Sequence, residues 1–270
     1  MPPVVVGDPS RETAMIAISF CLLGDLPALA GSPGLRDRVL GLPGPTSVKD
    51  ALETLGVPHT EVDLVLAGGL PVDWAQRVCD GARYEAHPVP EAAVERLGGL
   101  PWLEARLQPR PLARDRFVCD RHLGRLARLL RLLGFDTLYG NDWSEAEIAR
   151  VAGRDERAVL TCSRPLLKRR AIAAGRLIRA REVDAQAVET IRRFGLAGQE
   201  KPFARCGLCN GRLEPVAKSA VAVRVPLRTR SWRDRYFLCE SCDHLYWEGT
   251  HVERIRERIA VLMAEVEADR

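Results

Sequence analysis

The chain has 270 residues, 46% hydrophobic and 28% charged, with a net charge of +4. That composition allows one to three domains, and the absence of any run of about 18 apolar residues excludes a membrane-spanning helix. The start, MPPVVVGDPS, has neither the basic nor the apolar region of a secretory signal, so the expected compartment is the cytoplasm.

The first elements read as a small sheet crossed by a helix. Residues 14–23 (AMIAISFCLL) have the apolar, alternating character of a strand. After a Gly/Pro-rich stretch, Thr46-Ser47 caps a short helix, VKDALETLG, that stops at Gly56. Val62–Leu66 reads as a strand, Gly68-Gly69 as a tight turn and Tyr84–Val89 as the last strand. These elements define a first domain over 10–92. The proline-bearing segment 93–114 lacks periodicity and reads as a linker.

From Arg116 the texture changes. Short strands at Phe117–Cys119, Thr137–Tyr139, Ala158–Thr161 and Leu177–Arg179 alternate with helical patterns at 123–133, 144–152, 165–174 and 184–194. Such alternation predicts a parallel sheet with helices on its faces, here over 115–200. A third region, 201–270, holds four cysteines in β-rich sequence and ends in a charged helix at 252–268. Charge divides along the same line. Residues 1–100 carry 7 Lys and Arg against 13 Asp and Glu, and the remainder 33 against 23. A polyanionic partner is therefore expected at the back of the chain.

Cys206-Gly-Leu-Cys209 and Cys239-Glu-Ser-Cys242 form two C-x-x-C pairs, each able to place two thiolates on one knuckle. Two knuckles complete a closed tetrahedral site, so Zn²⁺ in a structural role is expected, on a hairpin carrying Val221–Val225 and Tyr236–Leu238. His244 and His251 are the alternative ligands. Trp232, Tyr236, Tyr246 and Trp247 are expected to form the small core beside the knuckles, with base stacking the alternative.

Asp120 ends the strand FVCD, which places it at the carboxyl edge of a parallel sheet, where α/β folds bind ligands. Asp142 follows the next strand, and Glu145 lies in the first turn of the helix after it. Together these three are candidates to hold one Mg²⁺ or Mn²⁺ ion with coordination positions left for water and phosphate. Ser144 and Glu147 have capping-box spacing, so Glu147 reads as a cap. Asp136, opening a strand, belongs at the opposite sheet edge and reads as structural. Arg121, Arg125, Arg164, Lys168, Arg169 and Arg170 supply positive charge for phosphates.

The run FVCDRHLGRLARLLRLLGFDTLYGNDW, then AVLT and PLLKRR, then CGLCNGRLEP and CESCDHLYWEGTHVERI, resembles the Mut-seven carboxy-terminal RNase family over 116–258. The resemblance implies a PIN-like nuclease domain joined to a zinc ribbon, with metal-binding acids at Asp120, Asp142 and Glu145. Upstream, GVPHTEVDLVLAGGLPVDWAQRVCDG is similar to the ubiquitin-like β-grasp domain often fused to that family. Gly98-Gly99 is followed by more chain, so a structural or interaction role is expected rather than sulfur transfer. Where the family usually reads L-T-R-D, this chain reads Leu160-Thr161-Cys162-Ser163, which replaces an acid by a neutral hydroxyl. The implied function is metal-dependent hydrolysis of RNA phosphodiesters. The alternative is a degenerate nuclease that binds RNA or a ribonucleoprotein, or an adaptor whose N-terminal domain engages a protein partner.

Overall fold

The computed structural model describes residues 15–89, 106–107 and 115–268, which fall into two compact units, one of 15–89 with 106–107 and one of 115–268. In the first unit, β1 (Ile16–Leu22), α1 (Leu26–Leu29), β2 (Asp37–Leu42), α2 (Val48–Thr54), β3 (Val62–Ala67), β4 (Leu70–Pro71) and β5 (Arg83–Pro88) build one mixed sheet with the order β2-β1-β5-β3-β4. The central pair β1–β5 is parallel and the other pairings are antiparallel. Alternation along β1 buries Ile16, Ile18, Phe20 and Leu22, while α2 buries Val48, Ala51 and Leu52. The Ser47 side chain accepts the Asp50 N–H at 3.0 Å and so starts α2 as expected. The helix α2 packed on a five-stranded mixed sheet is the ubiquitin-like β-grasp. Arg106 and Leu107 return to it, through Arg106 Nε to Asp63 Oδ2 at 2.6 Å and Leu107 N to Asp63 O at 2.7 Å. The rest of the expected linker, with Gly98-Gly99, lies outside the described residues.

The second unit opens with β6 (Arg116–Cys119), α3 (Gly124–Leu132), β7 (Asp136–Tyr139), α4 (Glu145–Arg154), β8 (Ala158–Thr161), α5 (Arg164–Leu167), β9 (Gly175–Leu177) and α6 (Val183–Phe194). Its sheet is parallel throughout, in the order β7-β6-β8-β9. Strand β8 is buried along its whole length, which is why AVLT reads as a continuous apolar run rather than an alternating one. The chain leaves β6 toward β7 and then crosses back to β8, so the strand order reverses between β6 and β8. A crevice at the carboxyl ends of those two strands is where such sheets take ligands.

Two expectations are corrected. The helix expected over 165–174 is the single turn α5, and the last strand begins at Gly175 rather than Leu177. A Cβ at position 175 would stand 2.9 Å from the Val159 carbonyl oxygen and 2.6 Å from a Leu167 methyl. Glycine, a weak strand former by propensity, is thus what the close approach of β9 to β8 requires.

The cysteine-bearing region continues the same unit with β10 (Leu213–Val216), α7 (Lys218–Val221), α8 (Leu227–Trp232), β11 (Tyr236–Cys239), β12 (Leu245–Trp247) and α9 (Thr250–Ala268). Its sheet is antiparallel, in the order β10-β11-β12. The strand expected over Val221–Val225 is instead the end of α7 followed by a 3-10 turn. Val221 and Val225 meet Tyr236 and Leu245 in a small core, with Leu238 and Trp247 packed against it. One helical turn separates the two valines, and that spacing brings both to the same side. Helix α9 then buries Ile259, Leu262 and Val266 against α3 and α6.

A polar junction fixes the ribbon to the parallel sheet. Asp136 accepts from Arg157 Nη1 at 2.7 Å and from Asn210 Nδ2 at 2.7 Å, and Arg205 lies 3.4 Å away. The Asn210 side-chain oxygen accepts the Thr137 N–H at 3.0 Å, while buried Arg131 donates to Thr137 O at 2.8 Å and to Leu208 O at 2.7 Å. Edge strand β7 would otherwise offer these backbone groups unpaired. Burial works to raise the Asp136 carboxyl, but the Arg157 and Asn210 hydrogen bonds and the nearby guanidinium charges outweigh it and hold it below the usual carboxylate range. Asp136→Ala leaves buried Arg157 with only the more distant anion of Asp155, 3.9 Å away, and is expected to lower stability by about 3 kcal/mol. Urea unfolding of the zinc-loaded chain at neutral pH measures the change.

Candidate nucleic-acid and metal sites

Asp120 directly follows β6 and is 4% exposed. One carboxylate oxygen accepts the His122 N–H at 2.8 Å; the other accepts the Thr161 hydroxyl and, at 2.9 Å, the Cys162 N–H. Three donors thus set the direction of this carboxylate at the mouth of the β6/β8 crevice. The register that pairs Cys119 with Leu160 brings the residues after both strands side by side. Thr161 also accepts the Ser163 N–H at 2.8 Å, which makes the turn 161–163 a rigid rim.

Glu145 meets that rim from the other side. Its carboxylate accepts the Ser163 hydroxyl at 3.1 Å and pairs with Arg169 at 3.3 Å. Both charged groups of the pair are more than 40% exposed, so it contributes little to stability. Asp142 is exposed in the turn after β7, where Asn141 Nδ2 donates to it at 3.4 Å. Glu147 closes a capping box with Ser144, as its spacing indicates. Among the described residues, these acids do not form a group of three gathered closely enough to hold a metal ion as they stand. The turn 161–163 joins Asp120 to Glu145, and Asp142 stands outside that chain of hydrogen bonds. Carboxylate and hydroxyl oxygens are nonetheless the donor type that Mg²⁺ and Mn²⁺ take.

Of the expected phosphate-binding groups, Arg121, Arg125, Arg164, Arg169 and Arg170 are exposed and Lys168 is half-buried. Arg121 sits in the turn after β6, while Arg164 and Lys168 flank α5 after β8, so both clusters rise from the crevice edge. Arg176, further along the chain, is buried in β9, over the Phe194 ring. Sequence reading missed Thr161 and the Cys162 backbone. A hydroxyl ending a strand adjacent to one that ends in Asp was the available signal.

In the ribbon, the sulfurs of Cys206, Cys209, Cys239 and Cys242 all lie within 4.8 Å of one another. Cys206 and Cys242 are 3.7 Å apart and Cys209 and Cys239 3.3 Å, against about 3.8 Å for the edge of a tetrahedron with 2.3 Å bonds. The knuckles repeat one geometry. Asn210 (φ 75°) and Asp243 (φ 58°) each follow the second cysteine in left-handed backbone, and each donates its N–H to the first cysteine's carbonyl at 3.0 Å. Asn and Asp are the non-glycine residues that tolerate this conformation best.

Burial works against ionising Cys206, yet the Tyr246 hydroxyl and the N–H groups of Cys209 and Leu208 bring its thiol down to about 7. Burial and the crowding sulfurs push Cys209 up to about 12. Four adjacent thiolates therefore need a cation, and this donor set fits a closed structural zinc site. His244 instead stacks edge-on against Tyr246, with ring centres 4.8 Å apart, and the side chain of His251 lies outside the described residues. Tyr236 and Trp247 join the ribbon core, as expected, whereas Tyr246 lies outside it with its hydroxyl 3.1 Å from the Cys206 sulfur; the Trp232 side chain also lies outside the described residues.

A family model described as the Mut7-C RNAse domain matches residues 115–259, and one described as Mut7-C ubiquitin matches residues 37–94. The human protein named Exonuclease mut-7 homolog is 34% identical over 128 residues, which is 45% of this chain and 14% of that protein. The matched stretch thus spans a small part of that relative's length. No solved structure matches the chain.

Metal analysis of the purified protein is expected to return one zinc per chain. Cys239→Ser should abolish it and melt the ribbon, read as lost zinc by mass spectrometry together with faster proteolysis after residue 200. Full zinc retention in this variant would contradict the four-thiolate site.

Proposed function

This chain belongs to the Mut7-C RNAse domain family, and from that we propose that its second unit hydrolyses RNA phosphodiester bonds with a Mg²⁺ or Mn²⁺ ion held by Asp120, Glu145 and Asp142. The observation that carries this reading is Asp120: a buried carboxylate, aimed by three hydrogen-bond donors, at the point where the order of a parallel sheet reverses. When bound, such an ion polarises the phosphoryl oxygen and acidifies an attacking water. The protein's own part is to position and neutralise. Arg121 and Arg125 on one side of the crevice, and Arg164, Lys168, Arg169 and Arg170 on the other, take the RNA backbone and stabilise the charge that grows on the phosphate. Zinc serves the fold, because four thiolates leave it no open position. The ubiquitin-like unit, on the acidic part of the chain, recruits a protein partner.

Incubation with single-stranded and structured RNAs should give cleavage that Mn²⁺ supports. Asp120→Asn should slow it by about 100-fold while zinc content stays unchanged. Metal-independent cleavage would sink the reading, as would intact RNA that remains bound.

A second reading has its own observation. Ser163 donates to Glu145, and Arg169 pairs with the same carboxylate, so the rim carries a neutral hydroxyl and a partly neutralised acid. In this reading the domain binds RNA without cutting it. Ser163→Asp should then raise Mn²⁺ affinity about tenfold and produce cleavage. Cleavage by the unaltered protein that Asp120→Asn stops would exclude it.

A further inference from the structure

The zinc ribbon sheet has two faces with different chemistry. Cross-strand pairing sets Tyr236 opposite Trp247, Phe237 opposite Tyr246 and Leu238 opposite Leu245. By alternation, Phe237 and Tyr246 are neighbours on the face away from the core that Tyr236 and Leu238 help to fill. That second face lines a groove of about 840 Å³, whose other walls are α3 and the start of α9. Its volume is within the range of pockets that take a small organic ligand.

The groove combines rings with positive charge. Arg125 and Arg128, one turn apart on α3, face it and have no acidic partner among the described residues. Arg235 lies over the Phe237 ring at 6.0 Å, and Arg256 lies over Phe203 at 5.7 Å. Glu248 is the acid of the lining, and Arg235 and Arg256 already share it at 3.6 and 2.7 Å. A lining with aromatic rings, two uncompensated guanidinium groups and no spare carboxylate suits a ligand that brings both flat rings and negative charge. Apolar side chains at the base, Leu129 and Leu132, favour a ring over a bare anion.

We propose that this groove binds unpaired RNA bases next to the crevice, with Phe237 and Tyr246 as the stacking face and Arg125 and Arg128 on the adjoining phosphates. The inference rests on RNA being the polymer this protein handles. It adds a second, metal-free contact whose location differs from the rim around Asp120. Helix α3 links the two, because the turn that orients Asp120 leads straight into the helix that carries Arg125 and Arg128. A strand lying along α3 would have bases held at the ribbon and a phosphate at the crevice. Stacking accepts any base, so the groove gives grip without sequence preference.

The test uses the full zinc-loaded chain, a fluorescein-labelled oligouridine and a duplex RNA of equal length, in buffer without magnesium or manganese, so that binding is read without cleavage. Phe237→Leu should weaken oligouridine binding about tenfold and leave duplex binding unchanged, since paired bases cannot stack on the ribbon. Phe237→Tyr, which keeps the ring, should bind as the unaltered chain does. Arg128→Gln should weaken binding and reduce the salt dependence by about 0.7 in the slope of log K against log salt. Zinc content reports whether each variant is folded. Phe237→Leu with full zinc and unchanged oligouridine affinity would overturn the proposal; so would equal losses for single strand and duplex, or no oligouridine binding by the unaltered chain. Failure of the nuclease reading is seen separately: Mn²⁺ added to the unaltered chain leaves bound oligouridine uncut while the variants still lose affinity.

Discussion

The second unit is held together by the buried pair of Asp136 and Arg157. The pair sits at the amino edge of the parallel sheet, and Asn210 and Arg205 reach it from the zinc knuckle. A half-buried carboxylate is costly on its own, so every added donor counts. Because Asn210 stands in left-handed backbone directly after Cys209, its side-chain position depends on the knuckle keeping its shape. An ion held in the knuckle would therefore couple to order at β7, because a knuckle that lost it would misplace the residue that pairs the edge strand. What looks like two modules in the sequence behaves as one folded body at this junction.

The two ends of the sheet divide the acids by role. Asp136 opens a strand and is consumed by guanidinium and amide partners. Asp120 follows a strand and is bound by neutral donors only: two backbone N–H groups and a hydroxyl. An acid compensated by arginine has little left for a cation, whereas one held by neutral dipoles keeps its charge to offer. This separation came from strand direction alone and was readable before any coordinates, because a residue that ends a parallel strand and one that begins it must lie at opposite edges.

Much of the fold was legible for similar reasons. Strand–helix alternation gave the parallel sheet, Ser47 and Ser144 marked helix starts, and the C-x-x-C spacing named the four cysteines whose sulfurs cluster. Errors fell where a long-range contact overrules local preference. Gly175 joins a strand because β8 leaves no room for a side chain. Val221 and Val225, β-branched residues that read as a strand, serve the ribbon core from a helix end and a turn. The candidate site was legible as a list of acids but not as an arrangement. Nothing local to Glu145 announces that Ser163 and Arg169 will meet it, since that contact depends on how α4 and the turn after β8 come together across the sheet.

Ser163 is where the chemistry of the site turns. An acid at this position would stand beside Glu145 and add like charge, which only a cation relieves. A serine removes that need: its hydroxyl donates to Glu145, and the rim is satisfied without any ion. Serine therefore lowers the electrostatic demand for metal here and, against the acid that the family resemblance implies, offers one charged oxygen fewer. If the second unit holds a nucleic acid as proposed, contacts beyond this rim share the grip. In the proposed groove they lie along α3, where exposed arginines lead from the turn at Asp120 to the aromatic face of the ribbon. In the two proposals, stacking on the ribbon and cutting at the rim draw on different residues of one unit, with Arg125 shared between them.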